Sequence, residues 1–266
     1  MSSDDRQITV PEFSALKTSG RKITMLTAYD YATARLVDSA GIEGVLVGDS
    51  LATVVQGRPN TLRTKLDEII YHTEMVTRAV SHALVVADMP FLSYQIDVPR
   101  AIENAGRIVK EAGCQAVKLE GGVDRAEVIS ALVSAGIPVL GHCGLLPQSL
   151  QKLGGYRVQR DRERLLADAK ANEQAGAFAV VLECIPDDIA AEITSALSIP
   201  TIGIGAGPNC DGQILVVHDL LGLIEGRTPR HARVYADLGS QVVEAVTQYR
   251  DDVREGTFPG PKETFQ

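Results

Sequence analysis

The sequence predicts an α/β protein, a (β/α)8 TIM barrel in one domain over residues 1–266, with an N-terminal helix and a C-terminal helical extension. Three observations predict it. Short, continuous apolar runs alternate with helical stretches, the order of a parallel sheet covered on both faces. Eight such runs fit in 266 residues, and barrels of roughly 250 residues are common as one domain. Four runs finish on an acid, within Val45–Ser50, Leu84–Pro90, Ala116–Gly122 and Ala177–Pro186. A doubly wound open sheet is the second choice.

Taking the elements in order, Pro11–Thr18 is a short helix with Pro in its first turn and Gly20 after it. It plugs or flanks the barrel. Ile23–Asp30 is the first strand, and the helix that follows closes at Gly41. Ala40-Gly41, Ala112-Gly113, Ala135-Gly136 and Ala175-Gly176 repeat one sentence: a helix ends, then an apolar run begins. Glycine there supplies the left-handed C-terminal turn. The later strands are Val45–Asp49, Leu84–Asp88, Ala116–Glu120, Pro138–His142, Ala177–Glu183, Pro200–Gly205 and, least clearly marked, Ile214–Asp219. Leu66, Ile69, Ile70, Thr73, Val76 and Val80 trace one helix face, Pro99 opens another helix, and Asp124–Glu127 fits a capping box. Leu51–Thr64 is a long rim loop, and residues 145–160 form a second one with the place of a lid. Ala236–Arg254 is the final helix, and the tail to Gln266 packs on the surface or on a neighbouring subunit.

Composition narrows the function. The net charge of −8, with no long run of either sign, disfavours nucleic acid and anionic membranes as partners. No apolar stretch approaches a membrane span, and Met-Ser-Ser-Asp-Asp-Arg is not a signal peptide. Cys114, Cys143, Cys184 and Cys210 lie far apart without a Cys-x-x-Cys, which fits a reduced cytoplasmic chain and disfavours structural zinc.

In a barrel, strand C-termini share the face where active sites form. Asp30, Asp49, Asp88, Glu120, His142 and Glu183 fall there. Clustered carboxylates repel, so either a cation is bound or some hold protons. The donors are oxygens, which suits magnesium better than zinc. Each residue also has a plainer reading. Asp49 can be an N-cap, Asp88 a turn acid, Glu120 a partner of Lys118, Glu183 a helix cap and His142 a core histidine. The recurrence of acids at strand ends outweighs any one of these. Gly203-Ile204-Gly205-Ala206-Gly207 lacks dinucleotide spacing and reads as a tight turn or a close backbone approach.

The motifs Thr-Ala-Tyr-Asp at 27–30, Val-Gly-Asp-Ser at 47–50, Ala-Asp-Met-Pro-Phe at 87–91 and Val-Lys-Leu-Glu-Gly-Gly at 117–122 stand in order along the chain. Gly-His-Cys-Gly-Leu at 141–145, Pro-Gln-Ser at 147–149, Gly-Gly-Tyr-Arg-Val-Gln at 154–159, Leu-Glu-Cys-Ile-Pro at 182–186 and Ile-Gly-Ile-Gly-Ala-Gly at 202–207 follow. In these the chain resembles the ketopantoate hydroxymethyltransferases over nearly its whole length. Departures fall at Cys143, Leu146, Arg160-Asp161 and Arg230–Asp237, and none removes a proposed ligand or base. The resemblance implies a magnesium-dependent barrel in pantothenate synthesis. Asp49 and Asp88 would ligate the metal, with Glu120 completing the set. Asp49, Ser50, Asp88 and Lys118 would hold 3-methyl-2-oxobutanoate, and Glu183 would be the proton acceptor. It also implies 5,10-methylenetetrahydrofolate as one-carbon donor and a homo-oligomer, a decamer of stacked pentamers. Two rivals remain. A phosphoenolpyruvate mutase or isocitrate lyase type of barrel would carry a Lys-Lys-Cys-Gly-His lid, which this sequence lacks. A non-catalytic keto-acid barrel is the other, since fold alone does not give function.

Overall fold

Eight short parallel strands close on themselves in sequence order in the computed structural model, which describes residues 6–224, 226 and 228–265. The chain forms two compact units, one ending at Val216 and the other starting at Val217.

The first unit is the barrel. It begins with helix α1 (Val10–Thr18), whose Thr9 and Glu12 form a reciprocal capping box. Then β1 (Ile23–Thr27), α2 (Tyr31–Ser39), β2 (Gly44–Val47), the helical turn α3 (Leu51–Val54) and α4 (Leu66–Ala79) follow. β3 (Leu84–Asp88), α5 (Val98–Ala112), β4 (Ala116–Lys118), α6 (Ala126–Ser134) and β5 (Val139–Gly144) continue the alternation. A short turn, α7 (Leu150–Leu153), precedes α8 (Arg162–Gln174), β6 (Ala179–Glu183), α9 (Asp187–Ala196), β7 (Thr201–Ile204) and β8 (Gly212–Leu215). β1 pairs with β8 through Met25 and Ile214, which closes the ring and removes both sheet edges. The repeated Ala-Gly stops hold, since Gly41, Gly113, Gly136 and Gly176 all adopt positive φ.

The interior is read by the two-residue period of the strands. Leu84 and Val86, Ala116, Leu140, and Ala179 and Val181 share one buried cluster with Phe13 of α1. Phe13 is fully buried and meets Phe178 edge to face at 5.8 Å, so α1 plugs the barrel. Continuing the same period toward the strand ends brings Asp88, Lys118 and Glu120, His142, and Glu183 onto that inward row. The barrel is thus apolar where α1 closes it and ionisable at its mouth.

Several expectations shift. β1 stops at Thr27, and Asp30 instead caps α2, accepting from Thr33 N at 2.9 Å and Thr33 Oγ1 at 2.8 Å. It is therefore committed to a helix end. The capping box expected at Asp124–Glu127 does not form, because a 3-10 turn over Val123–Arg125 precedes α6 and makes no side-chain cap. The eighth strand is Gly212–Leu215, four residues long and two residues earlier than Ile214, with Val217–Leu221 helical. The Gly203–Gly207 stretch ends β7 and turns, with Gly205 and Gly207 at positive φ.

The second unit contains α10 (Val217–Leu221) and α11 (Leu238–Glu255). α11 is capped by Asp237 and stopped by Gly256, and none of its residues is buried.

Candidate active site

At the barrel mouth the acids at or just past the ends of β2, β3 and β4 come together around Lys118. Asp49, Asp88, Lys118 and Glu120 are each no more than 5% exposed. Lys118 Nζ lies 2.6 Å from Asp88 Oδ1. Asp88 Oδ2 accepts the backbone N–H of Asp49 at 2.9 Å, which ties the end of β3 to the loop after β2. Ser50 meets the Tyr29 hydroxyl at 2.8 Å.

Three sequence alternatives are decided by these contacts. Asp49 does not cap α3, whose N-cap is Ser50, and its Oδ2 instead accepts from Gln148 Nε2 at 3.0 Å. Asp88 is bound to Lys118 rather than to its own turn. Glu183 does not cap α9, whose N-cap is Pro186.

A residue that the sequence reading did not single out binds the cluster together. Gln148 is buried in the loop after β5. Its side-chain amide donates to Asp49 and to the Met89 carbonyl, both at 3.0 Å. Its backbone N–H donates to Glu120 Oε2 at 3.0 Å, and its side-chain oxygen accepts from the Tyr94 hydroxyl at 2.7 Å. Tyr94 OH in turn accepts from the Glu120 N–H at 3.1 Å. The Pro147-Gln148-Ser149 motif was the signal available for it.

On the opposite wall, His142 is 2% exposed. Its Nε2 stands 3.2 Å from Glu183 Oε2, and its Nδ1 stands 3.9 Å from Glu120 Oε1. Neither nitrogen has the alignment of a hydrogen bond within the described residues. Glu183 is the most open of the acids, its side chain 16% exposed. Its backbone is seated by Gly144, which has φ +96° and where an added Cβ would fall 2.2 Å from the Glu183 carbonyl oxygen.

The electrostatics follow from burying three carboxyl groups, those of Asp49, Asp88 and Glu120, around one ammonium. Burial, then Asp88, pushes Asp49 up to about 7, with Lys118 and Gln148 opposing. Burial, then Asp49, raises Glu120 well above the usual carboxylate range. Burial works against the Lys118 charge, but Asp88, Glu120 and Asp49 outweigh it and hold the ammonium above its ordinary range. Burial, then Lys118, depresses His142 and so favours neutral imidazole at pH 7.

This negative surplus fits a divalent cation. Among the described residues, no three acidic, His or Cys side chains converge closely enough to hold an ion by themselves. Asp49 and Asp88 provide a pair of hard oxygen donors, with Asp88 disfavouring the charge on Asp49. Such a pair suits magnesium, which keeps waters and takes substrate oxygens, better than a metal needing a full protein cage.

Comparisons with known proteins agree with this architecture and go beyond it. Phosphonopyruvate hydrolase, solved with oxalate and Mg++, superposes with a TM-score of 0.63 at 15% identity, covering 96% of this chain and 93% of that one. 2,3-Dimethylmalate lyase, a PEP mutase/isocitrate lyase superfamily member, gives 0.60 at 19% identity, covering 97% and 93%. At these identities the likeness is one of fold. Sequence relatives are much nearer. The 3-methyl-2-oxobutanoate hydroxymethyltransferase of Desulforapulum autotrophicum is 56% identical, over 98% of this chain and 99% of the relative. Those of Pelobacter propionicus and Moorella thermoacetica are 52% identical over 100% of both chains and 53% identical over 98% of both. The model of the ketopantoate hydroxymethyltransferase family matches residues 7–261, and the chain, a transferase, belongs to that family.

Proposed function

We propose that this enzyme converts 3-methyl-2-oxobutanoate, 5,10-methylenetetrahydrofolate and water into 2-dehydropantoate and tetrahydrofolate, with magnesium. The observation that carries the reading is the buried Lys118–Asp88 pair facing a barrel mouth that also holds Asp49, Glu120 and the more open Glu183.

Asp49 and Asp88 would hold the ion, with Glu120 completing the carboxylate set. Bound magnesium would supply Lewis-acid polarisation of the keto acid's carbonyl. Ser50, steadied by Tyr29, donates to the substrate carboxylate. Asp88 fixes Lys118 so that its charge lies beside the oxygen on which negative charge develops, and a preorganised charge in a dry site is worth more than in water. Glu183 removes the C3 proton, and His142 at its side limits where that carboxylate can go. The C3 carbon then bonds to the donor's methylene, and water supplies the hydroxyl as tetrahydrofolate leaves.

Deuterium exchange at C3, followed by NMR, tests the first half without any donor. Exchange that needs magnesium and this enzyme is the expected result. No exchange with magnesium, with or without tetrahydrofolate, overturns the reading. The exposed apolar residues Val242, Val246, Tyr249 and Val253 of α11 support the homo-oligomer, proposed as a decamer. No described helix is long and apolar enough to cross a membrane. Cys114, Cys143, Cys184 and Cys210 form no disulfide among the described residues, which supports a reducing, cytoplasmic setting.

A further inference from the structure

We propose that a side cavity next to the keto-acid site receives the heterocyclic end of the one-carbon donor. This rests on the folate-dependent reading above. The cavity, about 190 Å³, lies among the loops after β4 and β5 and the start of α8. Glu120 and Gln148 form a wall common to it and the catalytic cluster, whereas Asp49, Asp88 and Lys118 are absent from its lining. It is thus adjacent to the reacting centre and separate from it.

Its chemistry selects a ligand class. Phe91 and Tyr94 bring aromatic rings to it, and Gly121-Gly122 brings backbone without side chains. A flat conjugated ring packs on such walls at low entropic cost. Asp168 adds a carboxylate. Its Oδ1 accepts the Val123 N–H at 3.0 Å, while its Oδ2 forms an ion pair with Arg164 at 3.6 Å and, among the described residues, no hydrogen bond. One oxygen is therefore left to accept from a ligand's N–H groups. Lys152 and Arg164 also line the cavity and suit an anionic tail. A ring with amide-like N–H donors and a tail of carboxylates answers to all of these groups. The small keto acid, with no N–H, does not.

The test uses the full chain with magnesium and keto acid and compares two one-carbon sources, 5,10-methylenetetrahydrofolate and formaldehyde. With formaldehyde the C3–H bond breaks, a C–C bond forms to the formaldehyde carbon, and its oxygen takes a proton, giving the same product without the carrier. Asp168→Asn keeps an acceptor for Val123 but removes the charge. The KM for the folate donor should rise about tenfold or more, the loss expected for one charged hydrogen bond. Lys152→Gln should raise it several-fold, with a weaker dependence on salt. The formaldehyde reaction should stay at the parent rate in both variants. An unchanged donor KM in both overturns the site while leaving the reaction standing. Equal loss with both carbon sources also overturns it, since the residues would then be serving the catalytic cluster. If the parent uses formaldehyde but not the folate, the donor assignment and this site fall together and the enolising chemistry survives.

Discussion

Glu183 and Asp38 show two uses of a carboxylate, one at the open mouth and one buried. Glu183 stands 3.2 Å from His142 Nε2 at the barrel mouth, where a base can take and return a proton. Glu183→Gln should cut C3–H exchange by about 10²–10⁴-fold, while keto-acid affinity, measured by titration calorimetry, changes little. Asp38 is the contrary case. Its carboxylate, 7% exposed, accepts from the backbone N–H groups of Ser81, His82 and Ala83 and so clamps the end of α2 to the loop before β3. Burial opposes its charge, but these hydrogen bonds prevail and hold its pKa below the ordinary 3.8. A depressed native pKa stabilises the fold at pH values above the unfolded one, and the benefit is lost as pH falls through the native value. Asp38→Ala should therefore cost about 2 kcal/mol at pH 7, because three backbone donors, the Ala83 N–H among them buried, lose their acceptor. Urea unfolding of both proteins should show that gap narrowing below about pH 4.

What the elements reveal depends on whether a residue obeys a period. Asp88, Lys118, Glu120 and Glu183 were legible because each ends or continues an apolar strand, and period two fixes the row on which it falls, whereas Asp49 lies past the end of β2 and out of register with the inward Leu46. Gln148 and Tyr94 were not, because loops bring them in, and the Gln148–Asp49 bond joins residues 99 apart. No local spacing records such a contact. Asp30 was over-read for a related reason, since a strand end and a helix start meet there and the N-cap took the side chain. The eighth strand slid because Ile214–Val217 runs from strand into α10 without a break in polarity, and a short apolar run does not distinguish the two. Gly144 tests how far the end of β5 governs the base. Gly144→Ala would press a methyl against the Glu183 carbonyl at a φ that side chains resist. The variant should lose at least about tenfold in exchange rate, a displacement effect, and its thermal midpoint should fall. Full activity would mean that β5 and β6 separate freely.

At the scale of the whole molecule, fold and family carry different information. The barrel is shared with lyases and hydrolases at 15–19% identity, so its closure says little about the reaction. The transferase class rests instead on the family match over residues 7–261, a span that includes the groups at the mouth. The second unit raises a separate physical question. On α11, Val242, Val246, Tyr249 and Val253 follow i, i+4, i+7, i+11 spacing, which sets them on one face, and they are 47–60% exposed. Tyr249 is extended by an edge contact with Phe258 at 5.4 Å. A helix 18 residues long with no buried side chain would not be held by propensity alone. An apolar stripe of that regularity is instead what a self-associating chain leaves uncovered in one copy. Val246→Asp places a charge in the middle of the stripe, where burial against another copy would cost several kcal/mol if the charge stayed unpaired. Light scattering coupled to size exclusion should then show the parent as a large assembly and the variant as smaller species at the same concentration. Identical masses for the two would remove the stripe from the assembly, and the oligomer would have to be built on another face.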